Sequence, residues 1–195
     1  MHVRLSTCFG MALVVAETQE RLGTLQSLLI HPDTGAIEGI CFFVGGMMGR
    51  EEHCVQTLDI VHWGLRIDVR SAEAAGPLEE CVRFQDILRE GRMVLGQRIL
   101  TEGGRSLGWC RDIQFDTERF QVEWLFPRQW FRWGRPLPLA AILEVRPDAI
   151  VVLETEVPEK EPFLRREILK AEGAVTQPSR SFRENLFRRG GWQGG

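Results

Sequence analysis

Tyrosine is absent from this sequence, lysine occurs only twice (Lys160, Lys170) and histidine four times (His2, His31, His53, His62). With tyrosine, lysine and histidine so scarce, several of the side chains that most often carry reactions are few or missing. No Gly-x-Gly-x-x-Gly or phosphate-loop pattern occurs, which removes the common nucleotide-binding folds. Ser6, Ser27, Ser71 and Ser106 lack a Gly-x-Ser-x-Gly setting, and no nucleophile, base and orienting group can be named together. His53-Cys54 with His62 follows no zinc-site spacing. An enzyme is therefore not expected, and no catalytic, cofactor or metal-binding residue is assigned. Apolar runs never approach the roughly 18 residues of a membrane helix. The opening MHVRLSTCFGMALVVAE has no apolar core of secretory length, so a cytoplasmic protein is expected.

Cysteine is present but unpatterned. Cys8, Cys41, Cys54, Cys81 and Cys110 are odd in number and separated by 33, 13, 27 and 29 residues. Neither a C-x-x-C motif nor a disulfide framework emerges, so reduced and mostly buried thiols are expected.

What the sequence has instead is arginine, glycine and short apolar alternations. The 22 arginines are interspersed with acids, as biased codon usage would leave them. Residues 1–157 carry 16 Arg against 22 Asp plus Glu, net −6, whereas residues 158–195 are net +3. The acidic part repeats itself at an offset of 85 residues: Glu17 matches Glu102, Leu22-Gly23 matches Leu107-Gly108, Leu28 matches Ile113 and Ile30 matches Phe115. Each copy reads as short strands divided by turns, Pro32-Asp33-Thr34-Gly35 in the first and Glu102-Gly103-Gly104-Arg105 in the second. In the second copy Phe120, Val122, Trp124 and Phe126 alternate with other residues, which predicts a strand with those four facing the core. Gly23 and Gly108 stand where a strand must bend to close a barrel.

The second copy resembles the PRC-barrel domain. The resemblance rests on Val94-Leu95-Gly96, Gly103 to Gly108, Asp112-Ile113-Gln114-Phe115-Asp116, Pro138-Leu139-Ala140-Ala141-Ile142 and Asp148-Ala149-Ile150-Val151-Val152. Val82 to Leu88 is similar to the family's short lead-in helix. The first copy departs from the pattern with Met11 at the place of Gly96, and its loop Gly45 to Gly49 has no family counterpart. The resemblance spans about residues 3–157 and implies a mainly β fold: two small antiparallel PRC-type β-barrels in tandem, the first over residues 1–75 and the second over 76–157. Gly96, Asp112 and Asp116, with Gly23 and Gly108, are expected to serve structure. Family barrels occur in the photosynthetic reaction-centre H subunit and in a ribosome maturation factor, and the barrel itself confers no catalysis.

Binding must then be sought on the surface. Trp130, Phe131 and Trp133 lie among Arg132 and Arg135 in a connection that so small a barrel has difficulty burying, and aromatic-arginine mixtures are the composition of binding hot spots. Packing of this hairpin over a barrel mouth is the competing expectation. Residues 158–195 are expected to hold a short amphipathic helix from Pro162 to Lys170, then a disordered basic tail whose Arg188, Arg189 and Trp192 could meet a partner. The expected role is a non-enzymatic adaptor or assembly module with a protein partner. Two alternatives stand beside it: a ribosome-maturation or RNA-associated factor, and a peripheral protein of membranes or photosynthetic complexes. Nucleic acid is disfavoured by the net −6, weak contact of the tail with anionic membrane is allowed, and self-association stays open.

Overall fold

Apolar residues that alternate with polar ones, interrupted every few positions by glycine or proline, favour many short strands. The computed structural model describes residues 1–44 and 51–154, and these are mainly β. In chain order the elements are β1 (His2–Arg4), α1 (Leu5–Cys8), β2 (Ala12–Val15), β3 (Arg21–Ile30), β4 (Ile37–Val44), β5 (Glu51–Gln56), β6 (Ile60–Trp63) and β7 (Ile67–Val69). There follow β8 (Ala75–Pro77), α2 (Val82–Glu90), β9 (Arg98–Thr101), β10 (Ser106–Asp116), β11 (Gln121–Gln129), β12 (Arg132–Trp133), β13 (Leu137–Pro138), β14 (Ile142–Val145) and β15 (Ala149–Val152). Among the described residues no helix is long and apolar enough to cross a membrane. The helix and disorder expected within 158–195, and the loop from Gly45 to Gly49, lie outside the described residues.

Two sheets form, and their strand orders correspond. One runs β6-β7-β2-β3-β4-β5-β8, the other β14-β15-β9-β10-β11-β12, with β1 and β13 attached to β10 and β11. In each, one pair is parallel, β2 with β7 and β9 with β15, while the long central strands pair antiparallel. Bulges interrupt the central ladders between Leu25 and Ser27 and between Cys110 and Asp112, and the added twist curls the sheets into half-barrel form.

The glycines of the repeat are sites of close approach. A Cβ at Gly23 would stand 2.5 Å from Cδ2 of Phe42, and one at Gly108 would stand 2.5 Å from the carbonyl oxygen of Arg128 on the next strand. Gly96 and Gly104 have φ of 81° and 78°, the left-handed backbone their turns require.

One alternation is misread from sequence. Gln114 pairs Trp124 but the next residue, Phe115, pairs Val122, so Glu123 is an extra residue in β11. Beyond that bulge the facing reverses: Leu125 and Pro127 turn inward, Trp124 is 39% exposed and Phe126 is only half-buried. The expectation that Trp124 and Phe126 point to the core is corrected by a single inserted position.

The two sheets share one continuous apolar core within residues 1–157. Leu13, Leu25, Ile40 and Phe42 meet Ile99, Ile113, Phe115 and Leu125 there, and Trp63 sets its ring edge-on to Phe115 at 5.4 Å. The turn at Gly35 joins the sheets as well, since the Val122 amide donates to the Gly35 carbonyl and the Ile37 amide to the Phe120 carbonyl. Each lead-in packs on the sheet of the other repeat. β1 and α1 lie against β10, while α2 drives Phe84 onto Leu29, Cys41 and Cys54 of the first sheet, above Gly39.

The cysteines bring a second correction. β4 and β5 place Cys41 directly opposite Cys54, with 4.2 Å between their Cα atoms, and the two are joined in a disulfide. This is the close, non-hydrogen-bonded kind of antiparallel pair, a register that spacing in the sequence does not reveal. Cys8, Cys81 and Cys110 remain thiols. Burial raises the Cys8 and Cys81 thiols and pushes that of Cys110 up to about 12. Thiol titration of unreduced, denatured protein should therefore find three thiols, rising to five after reduction, with Cys41 and Cys54 as the difference by peptide mass mapping. Five thiols before reduction would remove the bridge.

Candidate functional site

The long β11 ends in a hairpin whose stem is short. Arg128 pairs Trp133 and Gln129 pairs Arg132, which leaves Trp130 and Phe131 alone at the tip. These are 87% and 88% exposed. Trp130 also has a φ of 54°, left-handed backbone that a bulky side chain adopts at a cost of about 1–3 kcal/mol. Thus both aromatic residues of the tip stand exposed, and Trp130 does so on strained backbone.

Below the tip the hairpin is braced. Arg4 and Arg128 each bring a guanidinium 5.3 Å from the centre of the Trp133 ring, and Arg4 also stacks 4.0 Å over Phe126. Arg4 is held in turn by Asp112, whose Oδ2 accepts its Nε–H at 2.8 Å and lies 2.6 Å from its Nη2. Asp112 is 1% exposed and also accepts the Ser6 amide, the Ser6 hydroxyl and the Ile113 amide. The amide of Gly134 donates to the carbonyl of Pro127 and turns the chain back to the sheet. Asp116 caps the turn that follows β10, and its carboxyl is held below the usual range by the amides of Glu118 and Arg119 and by the Met1 amine.

On the outer face of the second sheet a row crosses three strands. Trp109 pairs Arg98 of β9 on one side and Arg128 of β11 on the other. Arg111 brings its guanidinium 5.9 Å over the Trp109 ring. With Trp130 these residues line a groove of about 640 Å³, and none of the described residues lining it is a carboxylate.

The expected site residues thus divide. Trp130, Phe131, Arg132, Trp133 and Arg135 are all exposed on one hairpin, whereas Arg188, Arg189 and Trp192 lie outside the described residues. Arg98, Trp109, Arg111 and Arg128 were not singled out by sequence. Counting outward from the ladder pair nearest the Gly103-Gly104 turn sets Arg98 against Gly108, and only a bulge between Ser106 and Gly108 moves it to Trp109. Cys54, the sulfur that a metal reading beside His53 would use, is bonded to Cys41. A different group, His2, Asp116 and Glu123, brings its ligand atoms within 4.8 Å of one another, and in it His2 Nδ1 is already 2.9 Å from Glu123 Oε2. No protein-family model matches the chain, and no curated protein matches it in sequence.

Proposed function

We propose that the chain is a non-enzymatic binding module of PRC-barrel type, two such units in tandem, which docks a protein partner through the Trp130–Phe131 hairpin. The corresponding strand orders of the two sheets support the tandem reading. The observation that carries the function is the exposed tip: Trp130 and Phe131 at 87% and 88% exposure, with Trp130 held on strained backbone that its exposed side chain does not repay. Strain retained on a surface is a mark of selection for something other than stability.

The RNA-associated alternative draws on the same arginines and tryptophans, since bases stack on aromatic rings and phosphates pair with guanidinium groups. An acidic residue excess of 22 to 16 over residues 1–157 weighs against a long polyanion.

Trp130→Gly separates binding from folding. Glycine relieves the left-handed backbone, so the variant should be more stable by about 1 kcal/mol in urea titration. A benzophenone amino acid at position 131, photo-activated in cells, should capture one protein species, and Trp130→Gly should lower that capture at least about tenfold, the loss expected for a hot spot. The same label at Leu143, exposed on the far edge strand β14, is the control. Equal capture from both positions, or none from 131, overturns the reading.

A further inference from the structure

Among the described residues seven arginines meet carboxylates: Arg4 meets Asp112, Arg66 meets Asp68, Arg70 meets Asp59, Arg89 meets Asp86, Arg92 meets Asp33 and Glu90, Arg105 meets Glu154 and Arg146 meets Glu144. The groove beside the hairpin gathers arginines of the other kind. Arg98, Arg111 and Arg128 gather around Trp109, and among the described residues none of the three has a carboxylate partner. The Nε–H of Arg128 is buried there and donates to nothing among the described residues. Three guanidinium groups therefore share one groove with no carboxylate from the described residues to neutralise them, and an anion seated there would supply charge-assisted hydrogen bonds.

We infer that this groove takes an extended acidic segment of the partner protein, with carboxylates on Arg98, Arg111 and Arg128 and an apolar side chain against Trp109 and Trp130. The fork of a guanidinium matches a carboxylate in plane and in spacing, with two parallel hydrogen bonds. Arg98 and Arg128 stand on strands flanking Trp109, roughly 9–10 Å apart at the usual strand spacing. An extended peptide covers that span in about three residues. Nucleic acid is the poorer occupant, because its affinity grows with the number of phosphates neutralised and the groove offers three cations within an acid-rich unit. The inference rests on the hairpin reading, since Trp130 belongs to both surfaces.

The test uses the full chain and a fluorescein-labelled peptide in which Glu alternates with Leu and Ser, followed by anisotropy at low salt. The Glu peptide should saturate, while its Gln counterpart should bind at least about tenfold more weakly, as expected when charge-assisted bonds are lost. Arg98→Glu with Arg111→Glu should lose the Glu peptide by a similar factor, and Arg98→Lys with Arg111→Lys should retain part of it. Circular dichroism of each variant must match the parent. No saturation below about 1 mM, equal binding of the Gln peptide, indifference to the charge reversals, or tighter binding of a labelled oligothymidine would each overturn the inference. If peptide binding ignores the arginines while capture from position 131 persists, the groove falls and the hairpin stands. If peptide binding depends on the arginines but position 131 captures nothing, the hairpin reading falls, and with it the partner protein as the groove's occupant.

Discussion

Asp112→Ala should lower stability by about 3 kcal/mol, enough to move the melting temperature by roughly 10 °C in a chain of this size. The carboxylate is 1% exposed and accepts hydrogen bonds from Arg4, from both the amide and the hydroxyl of Ser6, and from the Ile113 amide. Its removal leaves two amides and a hydroxyl without that acceptor and strips Arg4 of its counter-charge. The Arg4 side chain is 37% exposed and can rehydrate, which keeps the loss near the lower end of what breaking a buried ion pair costs. The damage should also travel. Arg4 stacks on Phe126 and Trp133, so its release loosens the hairpin stem, and the Trp133 indole resonance should shift in the variant. Asp148→Ala, at an exposed turn, should change neither quantity. A loss under about 1 kcal/mol for Asp112→Ala would mean that the amides find water and that the carboxylate is no anchor.

Gly108→Ala should cost about 3–5 kcal/mol, more than any other single-methyl addition to the turns and strands described above. Two penalties act together. At φ 109° any L side chain is strained, and the added Cβ would stand 2.5 Å from the Arg128 carbonyl oxygen and 3.1 Å from the Gln129 amide nitrogen. Those are backbone atoms of the adjoining strand and cannot rotate aside. Gly23→Ala should rank next, because its obstacle is the fully buried ring of Phe42 and its own φ is ordinary. Gly104→Ala, with nothing within 4 Å, should cost only the turn strain of about 1 kcal/mol. Guanidinium denaturation of the three variants gives the order directly, and a Gly104 variant weaker than the Gly108 variant would overturn the close-approach account.

Local signals carried the sequence reading far. Turns at Gly35 and Gly104, strands beginning after them and the doubled pattern around Leu22-Gly23 and Leu107-Gly108 all depend on neighbouring residues, and each corresponds to a strand or turn of the fold. The surplus of tryptophan between 130 and 133 was visible for the same reason. What stayed hidden depends on register. One bulged residue, Glu123, decides that Trp124 faces water. The pairing of β4 with β5 decides that Cys41 meets Cys54, and the pairing of β9 with β10 decides that Arg98 joins Trp109. Asp112 and Arg4 are 108 residues apart, and only the placement of β1 on the second sheet unites them. Spacing along a chain holds no record of which strand lies beside which.

The exchange of lead-ins between the two sheets bears on how such a chain could arise. α1 precedes the first repeat yet covers the second sheet, and α2 precedes the second repeat yet covers the first. A gene encoding one repeat alone would yield a protein with its own helix projecting and its own sheet uncovered, and two such molecules would complete each other by trading helices. Fusion of those two copies end to end would preserve the trade within one chain while freeing either half to diverge. Only the second half bears the aromatic hairpin, so under the proposed function the duplication would leave one repeat as scaffold and the other as the docking surface.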